Sequence, residues 1–283
     1  MIHDILPYKF NNQYKTEMPE KNSRIMIFAE GSVAVSKQNV DARLNFPVLG
    51  DFSDAGSLKL RYLFKIDDIS YYLLLDGEKE RLSLLNHPEN FEIVSTQIFR
   101  ESDPLHESFA GITAYQLHRW YGDNKFCGRC GSRLHHGEKE RHLFCPECKN
   151  TIYPKISPAV IVGVINGDKL LLTKYNGRAY KRYALIAGFA EIGEPIEDTV
   201  KREVMEEVGL KVKNVRFYKS QPWSFTDTLL MGFYCDLDGD DEIKLDTEEL
   251  SVGEWLTRDE IPETSGRISL TGEMITRFKE GLE

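Results

Sequence analysis

"GFAEIGEPIEDTVKREVMEEVGL", residues 188–210, holds six glutamates among 23 residues, between Gly188 and Gly209. Pro195 suits the first turn of a helix, Glu197 and Asp198 complement the positive end of its dipole, and Gly209 stands where a helix stops. The stretch predicts a helix over 195–208. At 100° per residue, Glu203, Glu206 and Glu207 fall within about 100° of one another. Like charges stacked on one face cost a helix a few tenths of a kcal/mol per pair, so something should compensate. Hard divalent cations prefer oxygen ligands, and Mg²⁺ often takes one or two carboxylates together with substrate phosphates. Arg202 can pin a neighbouring carboxylate bidentately. Gly188 and Gly193 let the preceding loop pass close to a metal or phosphate. A solvated acidic face is the competing reading of EVMEE taken alone.

The rest of the chain bounds the chemistry. With 283 residues, 41% hydrophobic and 29% charged, it has the composition of a soluble globular protein of two or three modules. No apolar run approaches the roughly 18 residues of a membrane span. The start MIHDILPYKFNNQYK lacks the basic and apolar regions of a secretory signal, so the expected setting is cytoplasmic. A net charge of -9 argues against non-specific attraction to phosphate backbones. A small anionic substrate would need bound cations to offset repulsion from an acidic site.

Four of the five cysteines form the pairs CGRC, Cys127 and Cys130, and CPEC, Cys145 and Cys148, separated by 14 residues. That is just under the usual four-cysteine zinc spacing of about 15–20. Gly131 and Pro146 favour tight knuckles, and four thiolates complete a tetrahedral site with no open position. The expected role of Zn²⁺ is therefore structural. Disulfides are the alternative, disfavoured in a reducing compartment. His135, His136 and His142 lie between the pairs and can substitute for a ligand. Cys235, within LLMGFYC, reads as a small buried hydrophobe rather than a nucleophile. All seven histidines precede residue 143, which excludes a histidine base from the C-terminal half.

Short strand-like runs between 25 and 100 predict a β-rich domain over 1–103. Leu105, Phe109, Ile112, Leu117 and Trp120 recur at helical spacing, predicting a linking amphipathic helix over 104–122. The cysteine module follows over 123–154. From 155 to 283, AVIVGVI and KLLLTKY flank a tight Asn-Gly turn. Further runs at YALIAGF, VRFYKS and LLMGFYCDL lead to an acidic loop and a last helix from about 271 to 282. Strands around one strong helix predict a mixed α/β domain.

Read as a whole, the opening stretch runs Gly188, five residues, Glu194, seven residues, then Arg202-Glu203-Val204-Met205-Glu206-Glu207-Val208-Gly209-Leu210. It matches G-x5-E-x7-R-E-U-x-E-E-x-G-U at every position, U being bulky aliphatic, and so resembles the Nudix box of enzymes that hydrolyse nucleoside diphosphates linked to another group. Ten residues on, Ser220-Gln221-Pro222-Trp223-Ser224-Phe225-Thr226-Asp227-Thr228 resembles the SQPWPFPxS motif of the zinc-ribbon NADH pyrophosphatase branch. Here Ser224 and Thr226 replace two prolines and Thr228 the last serine, which makes a loop less rigid. The resemblance implies an α+β, mixed α/β architecture: a β-rich N-terminal domain, a four-cysteine zinc ribbon and a C-terminal Nudix α/β/α sandwich.

It further implies Mg²⁺- or Mn²⁺-dependent hydrolysis of the pyrophosphate of NAD(H) to nicotinamide mononucleotide and AMP, an NAD cap on RNA sharing the scissile bond. By matching positions, Glu203 and Glu207 are the leading metal ligands, with Glu206 as ligand or base, joined by the Ala187 backbone oxygen and Glu249. Glu248 is the alternative to Glu249 if the acidic loop shifts by one residue. Gln221 and Trp223 suit the nicotinamide nucleotide, core packing being the other account of Trp223. Tyr153 and Phe189 match positions that clamp the adenine end. Glu140, Ser269 (in GRISL) and the Thr228 hydroxyl complete the expected substrate contacts. Branch members are homodimers, and the same is expected here. The alternatives are a Nudix hydrolase of ADP-ribose or another nucleoside diphosphate derivative and, from a different class, a non-catalytic zinc-ribbon regulator that senses a nucleotide.

Overall fold

The computed structural model describes residues 1–37, 43–75, 81–177, 181–263 and 268–283; Gly266 and Arg267 of the GRISL stretch lie outside them. The chain divides into two compact units, Ile2–Lys155 with Ser224–Thr226, and Met1 with Ile156–Trp223 and Asp227–Glu283. No helix among the described residues is long and apolar enough to cross a membrane.

The first unit opens with β1 (Phe10–Asn11), β2 (Arg24–Met26), β3 (Phe28–Ala29), β4 (Ser32–Ser36), β5 (Leu60–Ile66), β6 (Ile69–Leu74) and β7 (Phe91–Ser95). They form two sheets, ordered β1-β5-β6-β2 and β3-β4-β7. Asp67, at φ 49°, turns the chain between β5 and β6, a conformation that aspartate tolerates better than most residues. The apolar alternation of these strands fills a core around Ile25, Ile27, Ala34, Tyr62, Tyr72 and Leu74. Helix α1 (Leu105–Asp123) follows, burying Phe109, Ile112, Leu117 and Trp120, the stripe its spacing predicts. Ser224–Thr226 cluster with this unit, where Arg119 donates to the Ser224 and Phe225 carbonyls at 2.8 and 3.3 Å.

A small sheet of β8 (His135–His136), β9 (Leu143–Phe144) and β10 (Thr151–Ile152) carries the cysteine pairs. The two knuckles close alike. Gly131 N–H donates to the Cys127 carbonyl at 2.8 Å and Lys149 N–H to the Cys145 carbonyl at 3.0 Å. Both donors have positive φ, 76° and 60°, so the second knuckle holds a lysine where the first uses glycine.

The second unit contains β11 (Ser157–Asn166), β12 (Lys169–Tyr175), β13 (Ile186–Phe189), α2 (Ile196–Val208), β14 (Val212–Trp223), β15 (Thr228–Leu237), β16 (Leu250–Thr257) and α3 (Leu270–Lys279). Its sheet runs β14-β15-β11-β12-β16, with β13 pairing β11. β11 and β12 pair only beside their turn, at Ile165 and Asn166, and β13 takes the freed edge of β11 at Ala159–Val162. This brings Ala187 and Gly188 into the middle of the sheet. α2 packs Val200, Val204 and Val208 onto one face with Val160, Val162 and Val164. α3 packs Leu270, Met274, Ile275 and Phe278 onto the other with Ile161, Leu172 and Tyr234. Each fully buried aliphatic is worth about 1.5–3 kcal/mol, and the result is the expected α/β/α sandwich.

Local expectations need correction in three places. Pro195 caps α2 from outside rather than opening it, and Gly209 ends it at φ 70°, the left-handed cap that glycine adopts at little cost. The hairpin centre is Gly167-Asp168, with Gly167 at φ 61°, because Asn166 still pairs with Lys169. The SQPW stretch is strand rather than loop: Gln221 pairs with Leu230, Pro222 with Leu229 and Trp223 with Thr228. β14 lies at the sheet edge, where a proline's missing N–H breaks no ladder bond.

Candidate active site

Arg202 organises the glutamate helix. Its Nε and Nη2 grip Glu194 at 2.8 and 3.0 Å, Nη1 reaches Glu203 at 2.7 Å and Glu206 at 2.9 Å, and Nη2 also donates to the Phe189 carbonyl at 2.9 Å. These contacts use all five N–H donors a guanidinium has. Glu194 additionally accepts from the Thr199 hydroxyl at 2.8 Å and the Glu191 N–H at 3.2 Å. Hydrogen bonds from Arg202 and Thr199 hold its carboxyl well down, to about 2, while Glu194 in turn pushes the Arg202 guanidinium further up. Thr199, wholly buried within α2, escaped sequence reasoning, since nothing at its position marks a threonine as the partner of a glutamate five residues earlier.

Glu203 is 12% exposed and lies directly under Gly188. A Cβ built at Gly188 would fall upon the Glu203 carboxylate, so close approach is what requires the glycine. Burial raises the Glu203 pKa; Arg202 opposes the shift, and the negative charges of Glu206 and Glu249 add to it. Glu207 is buried at 4% and Glu206 is open, at 58%. Glu249 is held by its own backbone: Asn176 N–H donates to its carbonyl at 2.8 Å. Among the described residues, the acidic side chains that act on Glu203 thus include Glu249 from the loop before β16.

These buried or crowded carboxylates are a hard-oxygen donor set that fits Mg²⁺ or Mn²⁺. They are not drawn into a closed cluster. Among the described residues that description fits the four cysteines, whose sulfurs lie within 4.8 Å of one another. Cys127 and Cys148 Sγ are 3.5 Å apart and Cys130 and Cys145 Sγ 3.4 Å, against about 3.8 Å across a tetrahedron with Zn–S of 2.3 Å. The set fits Zn²⁺ and leaves His135, His136 and His142 outside. Hydrogen bonds from Ser132 bring the Cys130 thiol down to about 6, favouring the thiolate a metal takes. Cys235 is fully buried, which pushes its thiol up to about 12 and keeps it inert.

The expected substrate contacts separate into groups. In the first unit, the Tyr153 hydroxyl donates to Glu140 at 3.0 Å, and Tyr153 is 57% exposed. In the second, Phe189 is 56% exposed beside Gly188, and Trp223 is half-buried at the end of β14. Thr228 is a buried strand residue opposite Trp223 rather than a hydroxyl at a loop end. Ser269 caps α3, its hydroxyl accepting from Gly272 N–H at 3.2 Å. Gln221 is wholly buried and its amide is spent inside the fold, donating to the Ile268 carbonyl and accepting from Leu270 N–H, both at 2.7 Å.

Two family models match the chain: the NUDIX domain over residues 155–276 and the NADH pyrophosphatase zinc ribbon domain over 123–153. The protein named NAD-capped RNA hydrolase NudC in Klebsiella pneumoniae is 35% identical over 187 residues, 66% of this chain and 72% of that one. Its namesake in Erwinia tasmaniensis is 40% identical over 186 residues, 66% and 70% of the two chains. In Pectobacterium atrosepticum the namesake is 40% identical over 148 residues, 52% of this chain, and the match spans little more than half of that relative's length, 56%. With a ribbon whose sulfurs converge, a box helix pinned by its own arginine and relatives aligned over more than two thirds of their length, the chain belongs to the NADH pyrophosphatase family of Nudix hydrolases.

Proposed function

We propose that this protein hydrolyses the pyrophosphate bond of NAD(H), releasing nicotinamide mononucleotide and AMP. The observation that carries the reading is the presence in one compact unit of the Arg202-pinned glutamate helix and the SQPW strand. The relatives' name supports NAD-capped RNA as a second substrate with the same scissile bond.

Glu203, Glu206, Glu207, Glu249 and the Ala187 carbonyl would hold Mg²⁺ or Mn²⁺. When bound there, the ion would draw charge from the phosphate oxygens and lower the pKa of a coordinated water. The chain's own residues supply the rest. Arg202 fixes the rotamers of Glu203 and Glu206 and steadies two carboxylates that would otherwise repel. Gly188 leaves room for the Glu203 carboxylate against β13. Glu206, more open than Glu203, is the carboxylate best exposed to take a proton. Trp223 offers a face to the nicotinamide end, and Phe189 offers an exposed ring to the adenine end. The reading includes a structural Zn²⁺ on the four cysteines. It also includes the homodimer that the resemblance implies, with light scattering as its test, and a cytoplasmic setting.

The test is chromatographic product analysis with NADH, NAD⁺, ADP-ribose and a short NAD-capped RNA, each with Mg²⁺ or Mn²⁺. Reduced nicotinamide mononucleotide and AMP from NADH support the proposal. Cleavage of ADP-ribose alone would transfer the activity to that substrate, the replacement of two motif prolines by Ser224 and Thr226 being the observation that favours it. No turnover at all would leave a nucleotide-sensing protein.

A further inference from the structure

The segment between β15 and β16 is tied to the end of the glutamate helix through its backbone. The Glu207 and Val208 carbonyls stand in the last turn of α2, where no later helical N–H reaches them. Asp246 N–H donates to the first and Lys244 N–H to the second, both at 2.9 Å. Ile243 and Leu245 alternate with these donors and pack on the core that α2 covers. Beyond Asp246 the chain makes a single turn. The Asp246 carbonyl accepts from Glu249 N–H at 3.3 Å and Leu250 N–H at 2.9 Å, and its carboxylate accepts from Glu248 N–H at 2.9 Å. A side-chain oxygen that takes the N–H two residues on is how an aspartate opens such a turn. From the other side Asn176 braces it, the side-chain amide donating to the Thr247 carbonyl at 2.9 Å and the backbone N–H to the Glu249 carbonyl at 2.8 Å.

We infer that Asp246 is a positioning residue: with its N–H on Glu207 and its carboxylate closing the turn that carries Glu249, it sets the spacing of the two glutamates without touching metal or substrate. This rests on the reading above in which Glu207 and Glu249 share a divalent ion. Glu203 feels the negative charge of Glu249, so the turn lies within electrostatic reach of the acidic residues on α2. Alanine at Asp246 removes the side-chain acceptor, whereas asparagine keeps an oxygen there and gives up only the charge. The backbone bond to Glu207 survives either substitution, so each acts on the turn alone. Residues 246–249 are exposed, and the core is left as it was.

The experiment titrates Mn²⁺ into the full zinc-loaded chain, followed by electron paramagnetic resonance. It compares wild type, Asp246→Ala, Asp246→Asn, Glu249→Gln and the double variant Asp246→Ala with Glu249→Gln, each checked by thermal melting. Asp246→Ala should weaken Mn²⁺ binding about fivefold, the scale of one lost side-chain cap. Asp246→Asn should stay within about twofold of wild type, and Asp246→Ala should have no further effect once Glu249 is Gln. Wild-type affinity in the alanine variant, an asparagine variant as weak as alanine, or an undiminished alanine effect in the Glu249→Gln background would overturn the role given to Asp246. Hydrogen exchange on the wild type covers variants that do not fold: Mg²⁺ should slow exchange at the Glu248 amide, and no slowing would overturn the inference. A Glu249→Gln variant that binds Mn²⁺ as tightly as wild type defeats the underlying reading of Glu249, whereas a normal alanine variant beside a weakened Glu249→Gln defeats only the role of Asp246.

Discussion

Arg202 and Glu194, eight residues apart, meet in a bidentate pair, Nε to Oε1 at 2.8 Å and Nη2 to Oε2 at 3.0 Å. Glu194 precedes α2 and Arg202 lies in its second turn, so the pair staples the entering loop to the helix it leads into. The same guanidinium holds Glu203 and Glu206, and the geometry of the acidic face therefore depends on a carboxylate outside it.

Because Arg202 and Thr199 lower the Glu194 pKa from the usual 4.5 to about 2, the pair's contribution has a definite pH window. A depressed carboxyl stabilises the fold above its unfolded value, and that contribution is lost as pH falls through the folded one. Glu194→Gln should melt below wild type near neutral pH, and the difference should shrink as pH drops from 4.5 toward 2. Melting temperature against pH is the measurement; a gap that stays constant would mean that the pair does not titrate as described.

Gly188→Ala places a methyl where the Glu203 carboxylate lies. Either Glu203 leaves its place or β13 shifts, at about 1–3 kcal/mol for an overpacked site. The expected outcome is a modestly lowered melting temperature with a disproportionate loss of turnover, about a hundredfold. Parallel assays of stability and kcat check it, and full activity would show that Glu203 need not occupy this position.

Zinc should be found at one ion per chain by elemental analysis, and Cys148→Ser or a strong chelator should remove it. Metal release costs the ribbon its fold, since binding energy at such sites is folding energy. Protease should then cut first within residues 123–154, while the α2–β11 core melts at an unchanged temperature. Zinc content unaffected by Cys148→Ser would place the ion elsewhere.

The glutamate helix was legible in sequence because its signals are local. Three valines four residues apart face the sheet, Glu203 and Glu207 lie on the flank beside them, and glycine stops the run. The cysteine site was legible for the same reason, two short knuckles at nearly standard spacing. Gln221 was not, because the backbone that consumes its amide lies 47 and 49 residues further on, a pairing that only the fold creates. The SQPW strand was hidden by Pro222, a residue that argues against a strand until the strand is known to be an edge. The choice between Glu248 and Glu249 was not legible, because it depends on how the loop before β16 is anchored, where the Glu249 carbonyl accepts from Asn176 N–H.

The central claim is that NAD(H) is cut at its pyrophosphate by groups on α2. Its most direct test is AMP release from NADH with Mn²⁺ by wild type and Glu207→Gln, an isosteric change at a buried position. The account predicts AMP and reduced nicotinamide mononucleotide in equal amounts from the wild type, with a loss of about a hundredfold or more in kcat for the variant at unchanged melting temperature, the scale of several kcal/mol of metal-dependent stabilisation. Equal turnover by the variant, or a wild type that leaves NADH intact, would contradict it.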